Sequence, residues 1–453
     1  VPCGDADRRL CVAYPLEALA HTQSTMRNLE CTAMYALTRT LAAALLLTAA
    51  SAQAQLTIPG ADGSDGSLHV TEDTVIDLSL ATGGAPGTDA WQQDNTANAG
   101  NGVYDPDKWA VVFKYTSVTV DADATLSFAN HPTRAPVVWL VSGDVTINGS
   151  VDLSGSGWQY PPLLAEPGPG GFRGGTGYYT SGVGSSAGFG PGAGGTDSGA
   201  GYGGSYGSVG TGGTSTYGNP SLVPLIGGSG GGGDGNHARG GAGGGGALLV
   251  ASSGAIVVDG SVIADGGNGR SHYGEQSGGG SGGGLRLVAD ALAGGGVLQA
   301  VGGSGDRAGG LGRIRLEYVS NSSSLQVTPD PSVVPLTAAT TALVWPPADA
   351  PSARIVSIGG EAVDVDPHAS FGTYGADAVL SETATTQVVV ETVNVEQASQ
   401  VQVRVSPRSS GSYAYIDAAV LEVDPVDPSI VRWVADIPVD VGYSAIQAKV
   451  IRP

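Results

Sequence analysis

The sequence predicts an all-β protein: a parallel β-helix (solenoid) with Gly-rich insertions, followed by an immunoglobulin-like β-sandwich. Three observations carry that expectation. Short runs rich in Val, Thr and aromatics, separated by turn residues, begin soon after residue 55 with little helical signal among them. A unit of roughly 22–24 residues then recurs between Gly-rich stretches, within the range of solenoid repeats. Near residue 351 the composition changes sharply, and only six Gly remain between 351 and 453.

Taken in order, residues 1–33 read as an upstream extension that is not part of the mature protein. Residues 34–54 read as a signal peptide: from Met34 the chain runs MYALTRTLAAALLLTAASAQAQ, with Arg39 before an apolar core. Ala52-Gln53-Ala54 supplies an A-x-A site, so cleavage is expected between Ala54 and Gln55, with an extracellular or cell-surface destination. All three Cys and both Met lie before that point, so the mature chain is expected to form no disulfide and no thiolate metal site. No later apolar run reaches the roughly 20 residues of a membrane-spanning helix.

Residues 55–344 form the expected Gly-rich β-helix domain. Strands are expected at 109–115, 117–120, 125–128, 137–141 and 145–153. The repeat reads PVVWLVSGDVTINGSVDLSGSG from Pro136, GALLVASSGAIVVDGSVIADGGNG from Gly246 and GGLRLVADALAGGGVLQAVGGSG from Gly283. A truncated copy, GGLGRIRLEYVS, starts at Gly309. Each full copy has a strand, a turn, a second strand and a Gly-rich exit. Such a unit buries its apolar face only by stacking on its neighbours. Of the 75 Gly, 58 fall between 155 and 313. The long insertion at about 155–245 is expected either to pack on the solenoid, as polyglycine-II-like strands, or to stay loose. A Pro-rich hinge at 345–352 precedes residues 353–453, whose seven or so short strands over about a hundred residues suit an immunoglobulin-like sandwich.

The run around Gly102, from GNGVYDPDKWAVVFKYTSV to VTINGSVDLSG, resembles a broad group of Gly-rich exported bacterial β-helix surface proteins, and the GGGGALLV and GRIRLE strings at Gly243 and Gly312 fit the same pattern. The resemblance implies architecture, with a C-terminal immunoglobulin-like domain less firmly included. It carries over no catalytic residue.

The balance of 20 Lys+Arg against 41 Asp+Glu, a net charge of −21, argues against nucleic acid and anionic lipid as partners. Catalytic motifs are weak. Gly184–Gly188 fits G-x-S-x-G but lacks the strand before and helix after that a nucleophile elbow needs. The histidines His69, His131, His237, His272 and His368 form no close metal pair, and no cofactor is expected. Asp62 with Asp65, and Asp121 with Asp123, have spacings compatible with Ca²⁺ ligation, although turn chemistry accounts for them as well. Asp144, Asp152, Asp259, Asp265 and Asp290 recur at repeat turns, and Arg286, Arg313 and Arg315 alternate on late repeats. A polysaccharide lyase or glycoside hydrolase on the same scaffold would draw on such residues.

The leading expectation is a non-enzymatic, adhesin-like or structural surface protein. Trp158, Tyr160, Tyr178, Tyr179, Tyr202, Tyr206 and Tyr217, with Phe172 and Phe189, are set among Gly and Ser as in binding loops. The expected partners are cell-surface or matrix polysaccharide or protein. The alternative for these rings is to pin the insertion onto the scaffold. A third reading is a filament or matrix subunit that self-associates by end-to-end stacking.

Overall fold

Six times among the described residues, a strand in one sheet is followed after a short turn by a strand in a second sheet. The pairs are Gly66–Val70 with Thr74–Asp77, and Ala110–Val120 with Thr125–Ala129. Next come Val137–Val141 and Val145–Ile147 with Ser150–Asp152, then Ala247–Val258 with Ser261–Ile263. Gly284–Ala293 with Val297–Gln299 and Arg313–Asn321 with Gln326–Thr328 complete the series. The computed structural model describes residues 55–453 other than 162, 179–183, 198, 214, 273–274, 369–374, 382–384 and 409–413. The expected upstream extension and signal peptide lie outside the described residues.

Within each sheet, successive pairs hydrogen-bond in parallel, so equivalent residues form columns. Val111, Val137, Leu248, Leu285 and Ile314 line up in the first sheet. Leu126, Val151, Val262, Leu298 and Val327 line up in the second. Both columns point into one apolar core between the sheets. The outer face of the first sheet is covered as well: Leu56, Ile58, Ala342 and Val344 pack on Val112, Val138, Leu140, Leu249 and Val288. Burial on both faces explains why Val137–Val141 is apolar at every position rather than alternating. The Pro-rich hinge is thus partly anchored, with Trp345 edge-on to Trp91 at 5.4 Å.

Two sequence expectations change here. The copy at Gly309 is complete, because Gln326–Thr328 supplies its second strand. Two further pairs, beginning at Gly66 and Ala110, belong to the same stack although their sequences do not show the repeat.

Apart from one short antiparallel pair, Ser271–His272 with Glu275–Gln276, the described Gly-rich excursions pack without forming sheets. Consecutive backbone N–H groups of 240–246 donate to the carbonyls of Gln159, Gly175, Gly278, Ser156, Phe172, Ser281 and Leu153. Every third donor therefore meets the same neighbouring segment: 159, 156 and 153; then 175 and 172; then 278 and 281. A polyproline-II-type chain has three residues per turn and no internal hydrogen bonds, so its N–H groups radiate to three neighbours. Segments 227–234 and 278–283 do likewise. Side chains have no room between such chains: a Cβ on Gly230 would lie 1.9 Å from the Arg173 carbonyl oxygen, and one on Gly233 would lie 1.8 Å from that of Thr176.

The C-terminal region is antiparallel throughout. Glu361–Ala362, Ser352–Ile358, Thr385–Val393, Ile430–Pro438 and Ala419–Val423 form one sheet; Ala414–Asp417, Gln400–Pro407 and Ser444–Ile451 form the other. Val388, Val390, Val401, Val403, Val431 and Trp433 fill the space between them. Residues 378–380, apolar enough in sequence to suggest one of the short strands, form none: Ala378 lies in a bend and Leu380 packs against this core. Buried Arg404 ties the region to the Gly-rich part by donating to the carbonyls of Gly190 and Pro191, and Tyr104 bonds Asp366. Burial pulls Arg404 down to about 10.

Candidate binding tip of the glycine strands

Each excursion runs out as a Gly strand, turns, and returns, and the turns of six excursions meet. Trp158 and Tyr160 come from the first, ring to ring at 5.0 Å and 73°. Arg239 comes from the turn after 227–234, with its guanidinium 4.3 Å from the Tyr160 ring and 5.1 Å from Trp158. Arg270, on the excursion after Ser261–Ile263, approaches Trp158 at 5.2 Å. Tyr178 joins through its N–H, bonded to the Asp234 carbonyl at 3.0 Å. Gln276 links this group to the last excursion through Asp306 at 3.2 Å, and there Arg307 lies 5.0 Å from the Tyr202 ring.

Asp234 organises the centre. It is wholly buried, and its carboxylate accepts the N–H groups of Asn236, His237 and Gln276 at 2.8, 3.0 and 2.7 Å. It also meets His237 Nδ1 at 3.2 Å, which fixes the half-exposed imidazole with its other edge outward. The buried carboxylate thus ties its own turn to that of Gln276, while the Asp234 main-chain carbonyl holds Tyr178.

The expected aromatic residues separate into two groups. Trp158, Tyr160 and Tyr178 stand at the tip, and Tyr160 is 54% exposed. Tyr202 stands beside them, its hydroxyl bonded to Asp197 at 2.5 Å; that acid raises the Tyr202 pKa while the bond lowers that of Asp197. Tyr206 and Tyr217 do not reach the tip. They pack together at 4.6 Å near the sheets, and their hydroxyls donate to the carbonyls of Ile226 and Gly227 at 2.9 and 2.6 Å. Burial raises both phenols well above their ordinary range. Phe189 is buried and Phe172 is half-buried against Trp109. Tyr179 lies outside the described residues. Sequence reasoning missed Arg239, Arg270, Arg307 and Asp234, because nothing local brings residues so far apart in the chain together.

The Ca²⁺ candidates have other duties. Asp65 is buried and accepts from Asn95 Nδ2, Gly100 N and Lys114 N at 2.6, 2.9 and 2.7 Å. Asp62 pairs with the Lys114 ammonium at 2.8 Å, and Asp121 with His69 at 3.1 Å. Asp123 sits exposed in the turn before Thr125–Ala129. Among the described residues, no three His, Cys, Asp or Glu side chains gather as a metal-ligand group.

The repeat acids tie one turn to the next. Asp144 accepts from Ala255 N at 2.7 Å, Asp259 from Gly295 N at 3.1 Å and Asp265 from Val301 N at 2.8 Å. Burial raises Asp265. Asp152 holds Ser154 N at 2.9 Å and Asp290 holds Leu56 N at 3.3 Å. Arg286 and Arg315 converge on Glu317 at 2.9 and 3.1 Å, and Arg313 donates to the Tyr217 carbonyl at 2.9 Å.

Two cavities lie away from the tip. A polar groove of about 480 Å³ contains Asp152, His131 and Glu166. Burial raises Glu166, but Arg134 and Arg173 hold its carboxylate at 3.1 and 2.6 Å. A second space of about 710 Å³ separates Phe172 and Phe189 from Ile355 and Ile446 of the C-terminal sheets. No family model, curated protein or solved structure matches this chain.

Proposed function

We propose that the chain is an exported, adhesin-like binding protein whose glycine strands display a recognition tip at a distance from the apolar scaffold. The carrying observation is the meeting of Trp158, Tyr160, Arg239 and Arg270, from three separate excursions, at one exposed place. Rigid aromatic rings and guanidinium groups on a short, well-bonded backbone suit recognition, since little side-chain or loop entropy remains to be lost on binding. Export is supported by the charged, apolar and small-residue order of 34–54.

In this reading the paired sheets are a parallel β-helix. The alternation of strands between two parallel sheets, with inward columns in register, supports that description. The C-terminal region is an immunoglobulin-like sandwich that braces the glycine strands. Its first, second and sixth main strands share one sheet while its third and last share the other, as such sandwiches do. Carbohydrate at a cell or matrix surface is the expected ligand class.

The test is a cell-adhesion and glycan-array comparison of the full chain with a Trp158→Ala/Tyr160→Ala variant. Loss of binding with an unchanged melting transition is expected. Binding that survives in a folded variant would move the recognition surface elsewhere.

A further inference from the structure

We infer that the polar groove beside Thr125–Ala129 and Ser150–Asp152 is a second ligand site, which takes a short neutral saccharide. The inference does not rest on the tip reading, since the two sites share no residue.

The groove holds about 480 Å³, within the roughly 300–1,000 Å³ of small-ligand sites. Ser127 and Asp152, partners in register across the second sheet, bring two successive turns of the scaffold to it. The 130–134 turn and residues 166–169 complete its walls. That turn is strained: Arg134, not a glycine, sits at φ 57°, and its carbonyl accepts the Gly170 N–H at 2.7 Å. Such a residue persists only where its surroundings fix it, so this wall is set before any ligand arrives.

The charges lining the groove cancel. Arg134 and Arg173 hold the two oxygens of Glu166 at 3.1 and 2.6 Å, and Asp152 supplies the other negative charge. Burial pulls His131 down to about 4, so its imidazole is neutral. Asp265, the acid that acts on Asp152 from the next turn, is taken up by Gln299 and the Val301 N–H. An ionic ligand therefore gains little here, and no ion pair need break for a neutral one to enter.

What remains uncommitted is hydrogen-bonding capacity of both senses. Asp152 uses Oδ1 for the Ser154 N–H, and its Oδ2 has no partner among the described residues; the same holds for Ser127 Oγ. His131 takes the Thr133 N–H on Nδ1 at 3.3 Å, which puts its own proton on Nε2 as a donor. Asn130 gives its amide N–H to the Pro167 carbonyl at 2.8 Å, which orients the amide and leaves Oδ1 buried and unpaired. An orphaned acceptor of this kind is ordinarily satisfied by an ordered water or a ligand hydroxyl. Sugar hydroxyls both donate and accept, and two neighbouring hydroxyls match one carboxylate. Half-buried Phe128, with Pro132 and Pro169, supplies apolar surface for the C–H face of a sugar ring.

The experiment titrates the full chain with the methyl glycosides of glucose and galactose, cellobiose, lactose, glucuronate and galacturonate, by calorimetry and saturation-transfer NMR. A neutral sugar should bind at least about ten-fold more tightly than either uronate. Asp152→Asn keeps an acceptor for the Ser154 N–H and loses the carboxylate, so it should weaken that binding about ten-fold. Ser127→Val, which removes only a hydroxyl, should weaken it about five-fold. Absence of binding by every neutral sugar, uronate binding as tight as theirs, or undiminished binding by both folded variants would each overturn the inference. Sugar binding lost in Trp158→Ala/Tyr160→Ala but kept in Asp152→Asn would overturn it while supporting the tip reading. Adhesion lost in the tip variant alone keeps that reading standing whatever the groove does.

Discussion

The paired sheets and the glycine strands are solutions of opposite kinds to one problem, how to pack chain against chain. In the sheets, side chains do the packing: Leu126, Val151, Val262 and Leu298 form an inward column with essentially no exposure. In the glycine strands, side chains are excluded, and backbone amides bond to three neighbours in rotation. The first region owes its cohesion to apolar burial, the second to hydrogen bonds between closely approaching backbones. A side chain added to the second region should therefore do what a side chain removed does to the first.

The largest effect is expected from Gly230→Val. Its Cβ would lie 1.9 Å from the Arg173 carbonyl oxygen, which is main chain and has nowhere to go. Destabilisation should exceed about 3 kcal/mol, the upper end of ordinary overpacking, with early proteolysis of the excursions. Chemical denaturation read by both near- and far-UV circular dichroism would check it; a native-like midpoint would mean that backbone contact does not hold these strands together. Leu298→Ala, the converse change, should cost about 2–5 kcal/mol through the cavity it leaves. If it instead had no effect on the midpoint, the inward column would not be the cohesive element.

Tyr206→Phe probes the seam between the two regions. It removes the hydroxyl that donates to the Ile226 carbonyl while keeping the ring, and about 1–2 kcal/mol should be lost. His131 reports on the same scaffold through pH. It stacks on Tyr104 at 4.0 Å, and burial, with His368 as a lesser cause, pulls it from 6.5 to about 4. The unfolded chain takes up this proton below about 6.5 whereas the folded chain stays neutral until about 4. Stability should fall as pH drops through that window, and His131→Gln should flatten that part of the melting-versus-pH profile. The smallest effect on stability belongs to Tyr160→Ala at the tip, within about 0.5 kcal/mol, although binding should suffer. A large loss of stability there would make the ring structural and merge it with Tyr206 and Tyr217.

The same contrast sets what could be read in advance. Three apolar repeat copies were legible because residues such as Val137, Leu248 and Leu285 occupy equivalent places in one period. The pair beginning at Gly66 was not, since its strands carry polar residues such as His69 and Thr74 on partly exposed faces, and only the inward residues are constrained. The Gly count foretold close approach of backbones but not which segments would meet. An excision of 155–245, which looks like a clean loop deletion in sequence, would in fact remove Gly232 and Ser229, the acceptors for Gly278 and Ser281 of the excursion that remains. Of the aromatics singled out for binding, composition alone could not separate Tyr160 from Tyr206, because both sit among Gly and Ser.

Sequence by itself determined the β class, the repeat, the break in composition near 351 and the need for Gly where chains touch. These are local matters: alternation, turn chemistry and the absence of a Cβ act within a few residues. Tertiary structure alone decided that Trp158, Arg239 and Arg270 share a tip, that Asp234 lies buried beneath it, and that Tyr206 is inside with Tyr217 packed on it. Those outcomes depend on how far each glycine strand runs before it turns. Polyproline-II-type chains carry their partners in three directions around them rather than along the sequence, so a linear reading cannot assign the neighbours.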